Sequence, residues 1–222
     1  MRVIRRIELV ILFMLIVAAV MIGIRKYDLY SEDTQEKNDS FQRSQEFERY
    51  VSSYDTDGDG VDDQTDMLES ARAYIETKPK YKSKYYSGGY PDDEYGVCTD
   101  VVAQAMLGTG FDLQKLIDED IKENPQDYDI EKLDSNIDFR RVPNQNVYFK
   151  NHAISLTKDL SETEKWQGGD IVVFKKHIGI VSDRRGKDGV PYLIHHYKKG
   201  QKKYEENTLK RWGKVVGHYR LN

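Results

Sequence analysis

The chain has 222 residues, 38% hydrophobic and 32% charged, with a formal net charge of −4 and a single cysteine. One cysteine excludes an intramolecular disulfide, and the roughly 170 residues beyond the N-terminal segments suffice for one cored domain. Charge is uneven: residues 28–66 hold thirteen acids and three bases, hence −10, and residues 184–222 hold eleven bases and three acids, hence +8. The basic end reads as a solvated face or as a surface meeting an anionic polymer or membrane; no nucleic-acid motif accompanies it, so no nucleic-acid partner is inferred.

Arg2, Arg5 and Arg6 precede an uncharged apolar run over residues 9–24, which Arg25 and Lys26 close. At 1.5 Å per residue the run spans about 24 Å, short of a hydrocarbon core but extendable by snorkelling flanks. Residues 20–24 are bulky and offer no small-x-small cleavage site, and no cysteine lies near for lipid attachment. Residues 1–26 are therefore expected to be a membrane anchor, with a cleaved signal and secretion as the alternative. The flanking charges orient a single-pass anchor with the domain on the extracytoplasmic side. Residues 27–45, polar and acidic, read as a tether.

A domain follows over residues 46–222. Phe47, Tyr50, Val51 and Tyr54 fall at helical spacing, as do Met67, Leu68, Ala71 and Ile75. Between them, residues 55–66 match a calcium-loop template. Asp55, Asp57, Asp59, Asp63 and Asp66 take positions 1, 3, 5, 9 and 12, Gly60 takes position 6, and Val61 would give a carbonyl. Position 12 is aspartate instead of the usual bidentate glutamate, and position 8 is Asp62 where an apolar residue is usual. The loop is similar to an isolated structural calcium loop; the alternative is an acidic turn with an aspartate helix cap.

Cys98, Val101, Val102, Ala105 and Met106 recur at helical spacing before Gly108 and Gly110, which places Cys98 in the first turn of a buried helix. There the free N–H groups favour a thiolate and could receive an oxyanion. A second helix is expected over residues 111–128. Arg140 and Arg141 are either solvated and paired or hold a substrate carboxylate bidentately. The last third reads as strands over residues 171–174, 177–182, 192–197 and 215–220. His177 opens one strand. His195 and His196 point to opposite faces of another, so one of them can join a site with Cys98, and alternation alone does not choose.

The Asp-rich loop ending Gln64-Thr65-Asp66 is one of several motifs that occur together. The others are Gly96-Val97-Cys98-Thr99-Asp100-Val101, Ile137-Asp138-Phe139-Arg140-Arg141-Val142, Gly169-Asp170-Ile171-Val172, His177-Ile178-Gly179-Ile180-Val181-Ser182 and Gly217-His218-Tyr219-Arg220. As a set they resemble a bacterial family, domain of unknown function 1287, within the NlpC-type, papain-like cysteine hydrolases. The resemblance covers residues 55–222. It implies an α+β, papain-like fold with N-terminal helices on an antiparallel sheet. It further implies Cys98 as nucleophile, His177 as base and His195 as the residue orienting it, and hence a cysteine peptidase or amidase. An extracytoplasmic enzyme of that kind is expected to cut amide bonds in cell-wall peptides. Gly-Val precedes Cys98 where many such enzymes have Asp, which bears on substrate more than on chemistry. Two alternatives are a zinc hydrolase using Cys98, His177 and His195, and a catalytically silent wall- or protein-binding module.

Overall fold

The computed structural model describes the backbone of residues 2–221 and the side chains of residues 11–221. The chain forms two compact units, Met1–Gln42 and Arg43–Asn222. The first is carried by helix α1 (Arg2–Ser44). Among the described residues no helix is long and apolar enough to cross a membrane. Within α1 the apolar residues 11–24 run directly into Arg25, Lys26 and Asp28. Arg2, Arg5, Arg6 and residues 9–10 of the expected anchor lie outside the described side chains. The expected membrane anchor is thus corrected. With it go the membrane as a partner, single-pass location and the inferred sidedness.

The second unit is built from helices α2 (Asp63–Glu76), α3 (Cys98–Gly108), α4 (Leu113–Glu123), α5 (Ser135–Asp138) and α6 (Val142–His152). A two-residue parallel pair, β1 (Lys80–Tyr81) with β2 (Tyr95–Gly96), leads into α3. The remaining strands are β3 (Ile154–Ser155), β4 (Ile171–Phe174), β5 (His177–Arg185), β6 (Pro191–Ile194), β7 (Glu205–Glu206) and β8 (Val215–Arg220). They form one antiparallel sheet in the order β3-β8-β4-β5-β6-β7.

Strand alternation divides the sheet's apolar residues between two cores. Ile171, Val173, Ile178, Ile180, Ile194 and Tyr219 meet Met67, Ala71, Val101, Val102, Ala105 and Met106 of α2 and α3. Val172, Phe174, Val181, Leu193 and Val215 turn the other way and bury Trp166 and Leu209. The architecture is α+β. The sheet stays open, with two-residue strands at both edges. The expected papain-like fold is therefore reduced to that coarser statement.

A second correction concerns residues 47–54, which form no helix. Their backbone donors are taken by side chains: Tyr50 N–H donates to Gln167 Oε1 (3.1 Å) and Ser52 N–H to Asp62 (2.9 Å). The aromatic rings separate, Phe47 lying on the Arg185 guanidinium and Tyr50 on that of Arg220, so their spacing serves cation–π contacts instead of a helix face.

Candidate functional site

Cys98 is the first residue of α3, as its sequence context predicts. Val97 precedes it in extended conformation, and the Val97 N–H is held by the Asp100 carboxylate (2.8 Å). The Ile178 N–H of β5 faces the sulfur. Burial, only partly opposed by that N–H, pushes the thiol up to about 11. A helix start alone does not make this cysteine a resting thiolate.

His177 opens β5 and is buried beneath Trp212, with ring centroids 3.7 Å apart and planes at 16°. Its Nε2 bonds His195 Nδ1 at 2.9 Å, and His195 Nε2 lies 3.3 Å from Glu206 Oε2. Tyr197 stacks on His195 at 4.9 Å. Register explains the meeting: β5 and β6 pair Ile180 with Ile194, and β6 and β7 pair Ile194 with Glu205. Glu205 is pinned by Arg72 (2.7 Å) and Arg184 (3.0 Å), which fixes its neighbour Glu206 beside His195. Burial, helped by His195, pushes His177 down to about 3, and burial also lowers His195. Both rings are therefore neutral near pH 7. No hydrogen bond joins the thiol to His177, so the expected resting Cys–His ion pair is not formed, and the function built on a membrane-tethered hydrolase with that dyad is corrected. Among the described residues none is hydrogen-bonded to the Nδ1 of His177, whose Nε2 is taken by His195.

His195, not His196, joins His177. His196 turns to the opposite side, against Tyr81 and Tyr204, and both of its buried ring nitrogens lack a partner. The three-ligand zinc alternative does not fit, because both nitrogens of His195 are already bonded, to His177 and to Glu206. Among the described residues the one cluster of three metal-ligating groups is Asp55, Asp57 and Asp59.

Arg140 is buried, with Nε and Nη2 on the Asp100 carboxylate (2.6 and 2.9 Å) and Nη1 on the Lys84 carbonyl (2.6 Å). Each nitrogen of its guanidinium is thus bonded within the fold. Arg141 is exposed and lies 3.8 Å from Asp138.

In the acidic loop, Asp55, Asp57 and Asp59 each present a carboxylate oxygen, all within 4.8 Å of one another. Gly58 and Gly60 adopt positive φ (76° and 94°), so the loop can turn sharply. Asp66 is buried, and its Oδ2 has no hydrogen-bond partner. Burial and the charges of Asp59 and Asp57 push it up to about 6. A cation held by Asp55, Asp57 and Asp59 would offset the charge that Asp57 and Asp59 place on Asp66. Asp63 stands apart from them: its carboxylate accepts from the Thr56 N–H and hydroxyl (2.7 Å each). Asp62 caps α2.

Several of the sequence motifs converge on a different centre. Asp170, fully buried, accepts from Gln64 (3.0 Å), the Gln167 N–H (2.8 Å), His218 (2.9 Å) and Arg220 (2.7 and 2.8 Å). His218 also bonds the Thr157 carbonyl (2.6 Å) and stacks on Trp166 at 3.7 Å. Gln64-Thr65-Asp66, Gly169-Asp170 and Gly217-His218-Tyr219-Arg220 thus supply a structural junction. Sequence reasoning did not identify Glu206, Trp212 or Tyr197 as site residues. Only the turn and strand register after residue 195 brings them there.

A family model described as "Domain of unknown function (DUF1287)" matches residues 68–221. A relative in Escherichia coli (strain K12), "Uncharacterized protein YijF", is 41% identical over 152 residues, covering 64% of this chain and 72% of its own. No solved structure matches.

Proposed function

This chain belongs to the DUF1287 family, and from that premise we propose that it is an enzyme of the cysteine peptidase or amidase class. Its base is the neutral His177, held by His195 and Glu206, and its nucleophile is the neutral Cys98 thiol. Neither a membrane tether nor a cell-wall substrate belongs to this reading. One observation carries it: His177 is locked at Nε2, flat against Trp212, yet its Nδ1 is unbonded, at the start of the strand whose next N–H faces the Cys98 sulfur.

On this reading a carbonyl seated over the start of α3 receives the sulfur in the same step in which the thiol proton passes to His177, because a base held near 3 cannot take a proton beforehand from a thiol held near 11. The S–C bond forms and the carbonyl oxygen takes the charge near the N–H groups of the helix start. The same proton then leaves with the amine as the C–N bond breaks; water, deprotonated by His177, attacks the acyl carbon, the S–C bond breaks to release the acid, and His177 returns the proton to the sulfur. His195 and Glu206 fix the ring and its tautomer, as positioning residues. We also propose kinship with NlpC-type thiol hydrolases at the level of these motif residues.

The test is a panel of peptide amides and anilides with acid-quenched mass spectrometry. We expect an acyl adduct on Cys98, none in Cys98→Ala, and strong loss in His177→Ala. Turnover that survives Cys98→Ala would overturn the assignment.

We further propose that the cation suited to Asp55, Asp57 and Asp59 is calcium, in a structural role, because their three carboxylate oxygens lie within 4.8 Å of one another and are hard ligands. Millimolar calcium should raise the melting temperature relative to chelator, and Asp57→Ala and Asp59→Ala should erase the shift. No shift in the native chain would sink it.

A further inference from the structure

A cavity of about 620 Å³ lies between the strand pair β1–β2 and the loop after β6. Its walls are the immediate neighbours of the site. On one side Tyr81 pairs in register with Gly96, two residues before Cys98, and the Lys82 N–H bonds the Gly96 carbonyl. On the other, His196 follows His195 directly, and the His195 N–H bonds the Tyr204 carbonyl (2.8 Å). The Tyr204 hydroxyl reaches the Pro79 carbonyl (2.9 Å) and ties the walls together. Gln201 folds the loop back by bonding the His195 and Lys203 carbonyls and the Tyr197 N–H.

The chemistry of the lining has one sign. Lys80, Lys82, Lys198 and Lys199 line the cavity, and no acid does. Lys80 is paired with Glu94 (2.8 Å), whereas Lys82 and Lys198 lie over tyrosine rings (5.3 and 4.9 Å), with no carboxylate bonded to either. His196 is 1% exposed, lines the cavity, and has neither ring nitrogen bonded. Burying such a ring unpaired costs about 1–3 kcal/mol, a cost that a ligand supplying a hydrogen-bond acceptor would remove. The volume falls within the range of about 300–1,000 Å³ typical of small-ligand clefts.

We propose that this cavity binds an anionic group, carboxylate or phosphate, of the molecule on which Cys98 acts, with Lys82, Lys198 and Lys199 supplying charge and His196 a directed hydrogen bond. The inference rests on the proposed function only in taking Cys98 as the acting group. Tyr81 links the two, since its phenol is raised by burial and by the nearby Cys98 sulfur.

The test compares alkylation of Cys98 in the full chain by anionic iodoacetate and neutral iodoacetamide, each rate divided by that of free N-acetylcysteine. The cationic cavity should favour iodoacetate about threefold or more at low salt, with the advantage fading as salt screens it. The Lys82→Ala/Lys198→Ala/Lys199→Ala variant, checked for an unchanged melting temperature, should return the ratio to that of the free thiol. A normalised ratio of one in the native chain, or a raised ratio unchanged in the triple variant, would overturn the proposal. If Cys98 resists both reagents, calorimetric titration with glutarate and with inorganic phosphate reads the same site and tells carboxylate from phosphate. Heat from either, lost in the triple variant and reduced in His196→Phe, supports it, and heat from neither overturns it. Because none of these readouts needs turnover, failure of the cavity and failure of the enzyme are separately visible.

Discussion

His177 and His218 each lie flat on a tryptophan at 3.7 Å, and the fold treats them in opposite ways. His218 has both nitrogens bonded, to Asp170 and to the Thr157 carbonyl, inside a junction where Asp170 also receives Arg220, Gln64 and a backbone N–H. His177 has one nitrogen bonded to a second histidine and the other unbonded. A saturated ring can only hold; a ring with a spare nitrogen, fixed in orientation, can also exchange a proton. The stacking is common to both, so saturation is what separates the structural histidine from the candidate working one.

The sharpest way to break that contrast is to unmake the saturated side. Asp170→Ala leaves Arg220 and His218 facing a buried gap, and urea unfolding should register a loss of about 3–5 kcal/mol. A loss below about 1 kcal/mol would mean that the junction is not structural. Next in size are the two rings themselves. His218→Ala should cost about 2–3 kcal/mol and leave Cys98 alkylation at its native rate, whereas His177→Ala should cost about 1–2 kcal/mol and alter that rate. Equal effects of both variants on the thiol would erase the distinction drawn here.

The remaining effect is in pH and is read as a slope. An unfolded histidine takes its proton near 6.5, whereas burial and His195 hold folded His177 at about 3. Between those values the unfolded chain binds more protons, so stability contributed by neutral His177 is complete above 6.5 and is lost as pH falls toward 3. The slope from this one group is at most about 1.4 kcal/mol per pH unit. Urea midpoints from pH 7 to 4 should therefore fall less steeply in His177→Gln than in the native chain.

Much of this was legible in the sequence. The apolar spacing of Met67, Leu68, Ala71 and Ile75 and the runs at residues 171–174 and 215–220 foretold their elements, because burial on one face leaves a periodic trace. Cys98 at a helix start was readable from the residues that follow it. The environment of the thiol was not. Its charge depends on how deeply β5 and α3 bury it, and no local pattern encodes that depth. Residues 47–54 misled because their aromatic spacing serves guanidinium faces on Arg185 and Arg220, far along the chain. Glu206 was hidden for a similar reason, since its place is fixed by Arg72 and Arg184 holding its neighbour.

The Asp170 junction also sets an order of events in time. The bonds linking His177, His195 and Glu206 close loops of 18 and 11 residues within one stretch of antiparallel strands. The junction closes loops of 106 residues to Gln64 and 48 to His218. Short loops cost less entropy and close sooner. The histidine pair can thus form on a strand meander before the junction that ties Asp170 to Gln64 and His218. Local contacts bring the candidate pair together first, and the bolt that fixes the sheet around it slides home afterwards.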